Sequence, residues 1–280
     1  MAKAKAFAAG TIVNALATNY GSAFALNLVT KVKLKFEDDL KENIVYEDGK
    51  KVKNQIVDRI LTAINRNAVV EIESEIPRQS GLGSSSAFMN ALILAIFKEL
   101  NEELNAHTIL TMNARISLEM GISYTGAFDD AAASLLGGIV VTNNSKMKIL
   151  KWVKKSAKAL ILIPPWQRND VLINEIRKDV EFVDKAIKKA LNGEYKEAML
   201  YNSLHYCSAL KYPLEPLNVS LSYDVSAGLS GNGPCYVAFG NVNELYKIWK
   251  EFGKVIRTEI VNEHAKSLIV PEYLFEEFKK

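Results

Sequence analysis

Two cysteines in 280 residues, Cys207 and Cys235, are too few for a disulfide framework. They stand apart, with no C-x-x-C pair and no neighbouring histidine cluster, so nothing points to zinc. Both read as reduced thiols that fill a core. Charge of one sign is also scarce: the net charge is +3, with no polybasic run and no arginine-rich helix. That excludes the usual footprint of a nucleic-acid partner and leaves a small anionic ligand compatible. No apolar run approaches the roughly 18 residues that a membrane-spanning helix requires. Lys3 and Lys5, followed by apolar Phe7 to Ala17 and the A-x-A of Ala15, Leu16 and Ala17, imitate a signal peptide. Gly10, Thr11 and Asn14 interrupt that run, and Thr18, Asn19 and Gly21 lead into another strand-like stretch. The expectation is a soluble, cytoplasmic protein with no membrane partner. Finally, no G-K-[ST] follows any glycine-rich loop, which disfavours a P-loop enzyme.

What is present is the balance of a globular chain, 49% hydrophobic and 24% charged. Strands are predicted over Ala4–Ala9, Ala23–Phe36 and Val69–Ile76, with a helix over Val52–Asn65 between them. A long apolar helix, Ser84–Leu100, and a second, His107–Met120, follow. Strands are then expected over Ile139–Thr142, Met147–Trp152 and Ala159–Ile163, and helices over Val171–Leu191 and Glu194–Leu210. Beyond the interruption at Pro213 and Pro216 come strand Cys235–Phe239, helix Val242–Phe252 and strand Val255–Val261. Segregated strand runs among helices make this an α+β chain. The expected division is residues 1–155 and 156–280.

Three stretches carry chemistry. The first, P-R-Q-S-G-L-G-S-S-S-A, comprises Pro77, Arg78, Gln79, Ser80, Gly81, Leu82, Gly83, Ser84, Ser85, Ser86 and Ala87 between a strand and a helix. Gly81 and Gly83 admit a close backbone approach, and a helix start offers unpaired N–H groups to a phosphate. The serines can cap that helix, and one can hold magnesium or a phosphate oxygen. A plain helix-capping turn would look similar. The second joins Glu119 with Asp129 and Asp130 in T-G-A-F-D-D-A-A-A-S-L-L-G-G. Carboxylates in apolar surroundings are costly unless they bind a cation or accept a proton; alternatively Asp129 is the N-cap of a helix Ala131–Leu136. The third, V-S-A-G-L-S-G-N-G-P-C from Val225 to Cys235, is a hairpin turn or a lid that packs on the first loop and covers phosphates or an acceptor, with Ser230 and Gly231 at its centre.

In this order the three blocks resemble the GHMP kinases, named for galacto-, homoserine, mevalonate and phosphomevalonate kinases. The family's P-x-x-x-G-L-G-S-S-A is met from Pro77 to Ser85, with Ser86 where alanine is commoner. Glu119 and Asp130 show the family spacing between metal-binding Glu and catalytic Asp, 130 − 119 = 11. The resemblance implies a ribosomal-protein-S5-like first half, a ferredoxin-like second half and ATP with magnesium between them. It further implies that Ser85 and Glu119 hold magnesium, that Asp130 orients or deprotonates the acceptor hydroxyl, and that Asp129 is its neighbour. Ala9-Gly10-Thr11 stands where the family often has P-G-K, so the assisting lysine is missing. Ala8–Leu26 and Tyr124–Ala131 look closest to archaeal-type shikimate kinases. That likeness implies transfer of the ATP γ-phosphate to the 3-hydroxyl of shikimate; homoserine kinase, or a nucleotide-binding sensor without turnover, is the alternative. Shikimate's hydroxyls and carboxylate suggest Asn14, Thr18, Tyr124 and Thr125 as polar partners and Arg78, then Lys5 or Arg115, as the cation. Such a kinase would work as a monomer or homodimer.

Overall fold

The computed structural model describes residues 1–278. Two long strands begin the chain, β1 (Ala2–Val13) and β2 (Tyr20–Phe36). A small hairpin, β3 (Ile44–Glu47) and β4 (Lys50–Val52), precedes α1 (Gln55–Ala63) and β5 (Ala68–Ser74). Three helices follow, α2 (Ser84–Glu99), α3 (Ala106–Glu119) and α4 (Phe128–Leu136), and then β6 (Ile139–Asn143) and β7 (Lys148–Val153). After β8 (Lys158–Ile163) come α5 (Ile173–Ile176), α6 (Glu181–Asn192), α7 (Tyr195–Leu210) and α8 (Glu215–Ser220). The last elements are β9 (Val225–Leu229), β10 (Tyr236–Gly240), α9 (Asn243–Trp249), β11 (Lys254–Glu259) and a 3₁₀ turn at Glu272–Leu274.

The strands form two sheets. The first runs β4-β3-β5-β2-β6-β7, with β1 paired along β2. β2 organises it because its 17 residues pair β6 with one end and β5 with the other. The second, β11-β8-β10-β9, is antiparallel throughout, and its chain order, strand, helices, two strands, helix, strand, is that of a ferredoxin-like unit. Helices α2 and α4 pack on β1 and β2, and α6 and α7 pair and reach from β1 to the second sheet. One core runs through both halves. Phe24, fully buried on β2, meets Phe239 of β10 edge-on with ring centroids 4.9 Å apart, so it joins the two sheets. Replacing Phe24 by Ala is expected to destabilise the protein by about 3–5 kcal/mol, read as a lower urea midpoint.

The α+β fold agrees with the sequence expectation, and the differences have physical causes. The hairpin β3–β4 was not anticipated because Glu47, Lys50 and Lys51 mask its pattern; its signal was Asp48-Gly49, whose positive φ values of 48° and 78° make a two-residue turn. The expected helix Val171–Leu191 is two, since the Asp179 carboxylate accepts the Glu181 N–H and starts α6 afresh. The stretch expected as a glycine-rich loop from Val225 is strand as far as Leu229. Gly228 belongs there because a Cβ on it would lie 2.7 Å from Ser203 Oγ on α7. Pro216 sits in the first turn of α8 rather than merely interrupting the chain.

Candidate active site

In the first half, α1 and α3 are capped conventionally, by Asn54 and Asn105 side chains that accept N–H groups of the first turn. α2 and α4 are not. Each starts from a left-handed residue, Gly83 with φ 64° and Ala127 with φ 47°, and neither has a side-chain cap. This corrects two expectations. Ser84, Ser85 and Ser86 leave the N-terminus of α2 open, and Asp129 lies inside the first turn of α4 instead of capping a helix from Ala131. The first α-helical bond of α2 runs from the Ala87 N–H to the Gly83 carbonyl. The N–H groups of Ser84–Ser86 therefore face outward at the positive end of the helix.

The third loop holds this one in place. Ser230 Oγ donates to the Gly81 carbonyl at 2.8 Å and accepts the Thr11 N–H at 3.1 Å. The Gly231 N–H donates to Thr11 Oγ1 at 2.8 Å, and the Cys235 N–H to the Ser80 carbonyl at 3.3 Å. A Cβ on Gly81, whose φ is +77°, would lie 2.1 Å from the Ser230 carbonyl oxygen. Backbone thus packs on backbone, which only glycine permits.

Asp129 and Asp130 face this junction from α4. Thr142 Oγ1 donates to Asn144 Oδ1, which turns the Asn144 amide nitrogen to donate to Asp129 Oδ1 at 2.8 Å. Asp130 Oδ1 is buried with no partner, and its Cβ and Cγ lie 3.4 Å from where a Cβ on Gly83 would be. Burial pushes both carboxyls above the usual range; Asp130 rises well above it, because the neighbouring Asp129 adds to the effect. Asn90 and Asn113, both fully buried, fix the register of the helices. Asn113 Nδ2 donates to the Ser86 carbonyl and to Asn90 Oδ1, and Asn90 Nδ2 donates to the Ala131 carbonyl, at 2.8–2.9 Å. Neither was singled out in the sequence, although an asparagine on an otherwise apolar helix face was a usable signal.

These elements enclose a cleft of about 260 Å³. It brings together Gln79 through Ser86, Asn14, Tyr124, Thr125, Asp129, Asp130 and Gly231; it adds Thr11 and Asn232, which lay in the quoted motifs without being singled out, and Ser117 and Arg168, for which no motif argued. Ser230 is buried behind it as the bond between loops, and Ala87 is in the core. Thr18 lies outside the lining, near the Tyr20 N–H. Glu119 is outside too: its carboxylate is 2.7 Å from Arg59 on the surface, while Ser117 lines the cleft. Arg78 pairs with Glu47 and borders a second cleft of about 410 Å³ that shares Gln79, Ser84 and Ser85 with the first. Pro77 lines neither, and Lys5 pairs with Glu263. Cys207 and Cys235 are free and buried, their thiols pushed up to about 12, which keeps them unreactive.

The family model for the GHMP kinases N terminal domain matches residues 43–138. A shikimate kinase from Archaeoglobus fulgidus is 46% identical over 278 residues, covering 98% of each chain. The chain belongs to the GHMP-type shikimate kinases. A second shikimate kinase, from Pyrococcus furiosus, is 34% identical and covers 91% of this chain and 97% of its own. Among solved structures, mevalonate kinase from Methanococcus jannaschii superposes with a TM-score of 0.71 at 17% identity, covering 93% of this chain and 98% of that one. That likeness establishes the GHMP kinase fold, and membership of the kinase family makes the protein a phosphotransferase.

Proposed function

We propose that the protein transfers the γ-phosphate of ATP to the 3-hydroxyl of shikimate, giving shikimate 3-phosphate and ADP. One observation carries the chemistry: the partnerless Asp130 carboxyl stands beside Gly83 at the uncapped N-terminus of α2. A phosphate against those N–H groups and a hydroxyl against Asp130 would be neighbours. The choice of acceptor follows the 46% identity to the Archaeoglobus enzyme.

In this reading the N–H groups of Ser84–Ser86 bind phosphate oxygens through the helix dipole and hydrogen bonds. The nucleoside of ATP extends into the second cleft, which shares Gln79, Ser84 and Ser85 with the first. Asp130 orients the attacking hydroxyl and takes its proton, and a raised carboxyl pKa suits a base at neutral pH. Asn14, Tyr124, Thr125 and Gly231 would face the acceptor, and Asp129, held by Asn144, would keep Asp130 in place.

Magnesium suits the residues present. Ser85 is exposed in the open first turn of α2 and lines both clefts. In kinase sites the ion keeps several waters and phosphate oxygens and needs only one or two protein ligands. Ser85 would hold it; Glu119, the second ligand that the family resemblance implies, lines neither cleft and would have to leave Arg59 to join it. When bound, magnesium neutralises charge on the transferring phosphates. Replacing Glu119 by Ala is expected to raise the magnesium concentration for half-maximal rate roughly 10-fold or more, the worth of one charge-assisted contact. An unchanged magnesium titration removes Glu119 from that role.

Among the described residues no helix is long and apolar enough to cross a membrane, and we place the enzyme in the cytoplasm, where ATP is supplied. The test is ADP release with shikimate, homoserine, mevalonate or galactose as acceptor. Turnover confined to shikimate supports the proposal. Turnover on another alcohol replaces the acceptor, and ATP binding without turnover on any of them replaces the kinase with a sensor.

A further inference from the structure

A carboxylate-bearing acceptor enters a cleft whose own acids, Asp129 and Asp130, repel it, so the lining needs a cation. Among the described residues that line it, Arg168 is the one basic side chain. Arg168 is exposed, in the segment between β8 and α5. The cations favoured from sequence lie elsewhere: Arg78 is on Glu47, Lys5 on Glu263, and Arg115 on the exposed side of α3.

The backbone beside Arg168 is tied down. The Asn169 N–H donates to Tyr212 Oη at 2.8 Å, and its side-chain amide donates to the Leu210 carbonyl at 2.8 Å. Tyr212 Oη in turn donates to the Asn232 carbonyl at 3.1 Å, and Asn14 Nδ2 donates to Asn232 Oδ1 at 2.8 Å. The neighbour of Arg168 is thereby coupled to Asn14 and Asn232, which line the same cleft. Holding the segment in advance reduces the ordering that ligand binding would otherwise require.

Resting on the shikimate kinase reading, we propose that Arg168 binds the carboxylate of the acceptor and sets the enzyme's preference for an acid over its neutral analogue. A guanidinium suits this task because it pairs with both carboxylate oxygens at once.

Kinetics of the full-length protein with shikimate and ATP varied separately, and with shikimate methyl ester as the uncharged probe, test this. Replacing Arg168 by Gln is expected to raise the KM for shikimate about 10- to 100-fold, the range for one charged hydrogen-bonded contact, while the KM for ATP stays put. The preference of the wild type for the acid over the ester should shrink by a similar factor in Arg168→Gln and survive in part in Arg168→Lys. An unchanged KM for shikimate, a rise confined to ATP, or an undiminished acid preference each overturns the assignment; the second outcome would hand Arg168 to the nucleotide phosphates. Wild-type protein inactive on shikimate defeats the proposed function itself, whereas an active wild type with an indifferent Arg168→Gln defeats only this inference.

Discussion

Replacing Asp130 by Asn is expected to lower kcat by about 10²- to 10⁴-fold, the span of a general base, and to leave the Kd for ATP nearly unchanged. The substitution keeps shape and volume, and the only atom of Asp130 that is buried without a partner, Oδ1, faces no protein donor that the change would strand. Single-turnover phosphoryl transfer and nucleotide titration read the two quantities separately. Equal losses in both would show that Asp130 shapes the nucleotide site rather than the acceptor. In the wild type, activity should fall with acid at a higher pH than an ordinary carboxylate would give, since burial raises Asp130 and the charge of Asp129 raises it further.

The same substitution has a second, opposite consequence for stability. A carboxyl whose pKa is raised in the folded state favours the fold while protonated. That contribution is whole below the ordinary carboxylate range and is lost as pH climbs through the raised value. Asn does not titrate. Asp130→Asn is therefore expected to melt higher than the wild type at neutral pH and to lose the advantage in acid, as thermal melts across pH would show. A variant that melts lower at neutral pH would mean that the carboxylate is paired rather than stranded.

Replacing Gly81 by Ala is expected to reduce kcat/KM roughly 100-fold, the scale of an ångström-sized misplacement in an active site. Two effects act together. The φ of +77° is unfavourable for a residue with a Cβ, and that Cβ would come 2.1 Å from the Ser230 carbonyl oxygen, which cannot yield without moving the third loop. The bond from Ser230 Oγ to the Gly81 carbonyl would go with it, and so would the placement of Thr11. Gly193 supplies the control. Its φ is +85°, and the nearest atom to an added Cβ is Lys151 Nζ at 3.9 Å. Gly193→Ala should cost about 1–2 kcal/mol of backbone strain and leave kinetics alone. Equal kinetic losses in the two variants would assign the effect to strain in general and not to contact between the loops.

Local chemistry made much of this protein legible in the sequence. The strands and helices that carry the core show as apolar or periodic runs because one or both faces of each are buried, and Gly81, Gly83 and the serines marked a loop suited to a phosphate or to a helix cap, of which the structure shows no side-chain cap. Asp129 and Asp130 stood out as charges among alanines and leucines; Asp129 is buried, and Asp130 is half-buried with Oδ1 inside. The β3–β4 hairpin was hidden by solvated charges, and the strand β9 by a glycine that packs on α7.

Position across the fold was not legible. Periodicity assigns Glu119 to a helix but not to the exposed face where it meets Arg59. No local pattern distinguishes Arg168 from other surface arginines, because its place depends on Asn169, Tyr212 and Asn232 meeting from three separate segments. The Asn113–Asn90 bridge and the Ser230–Gly81 bond likewise join residues far apart in the chain. The sequence determines which residue types can bind phosphate or take a proton, since that is a property of each side chain and its neighbours. Only the tertiary structure decides which of them share one cleft, since that depends on how two sheets close around Phe24 and Phe239.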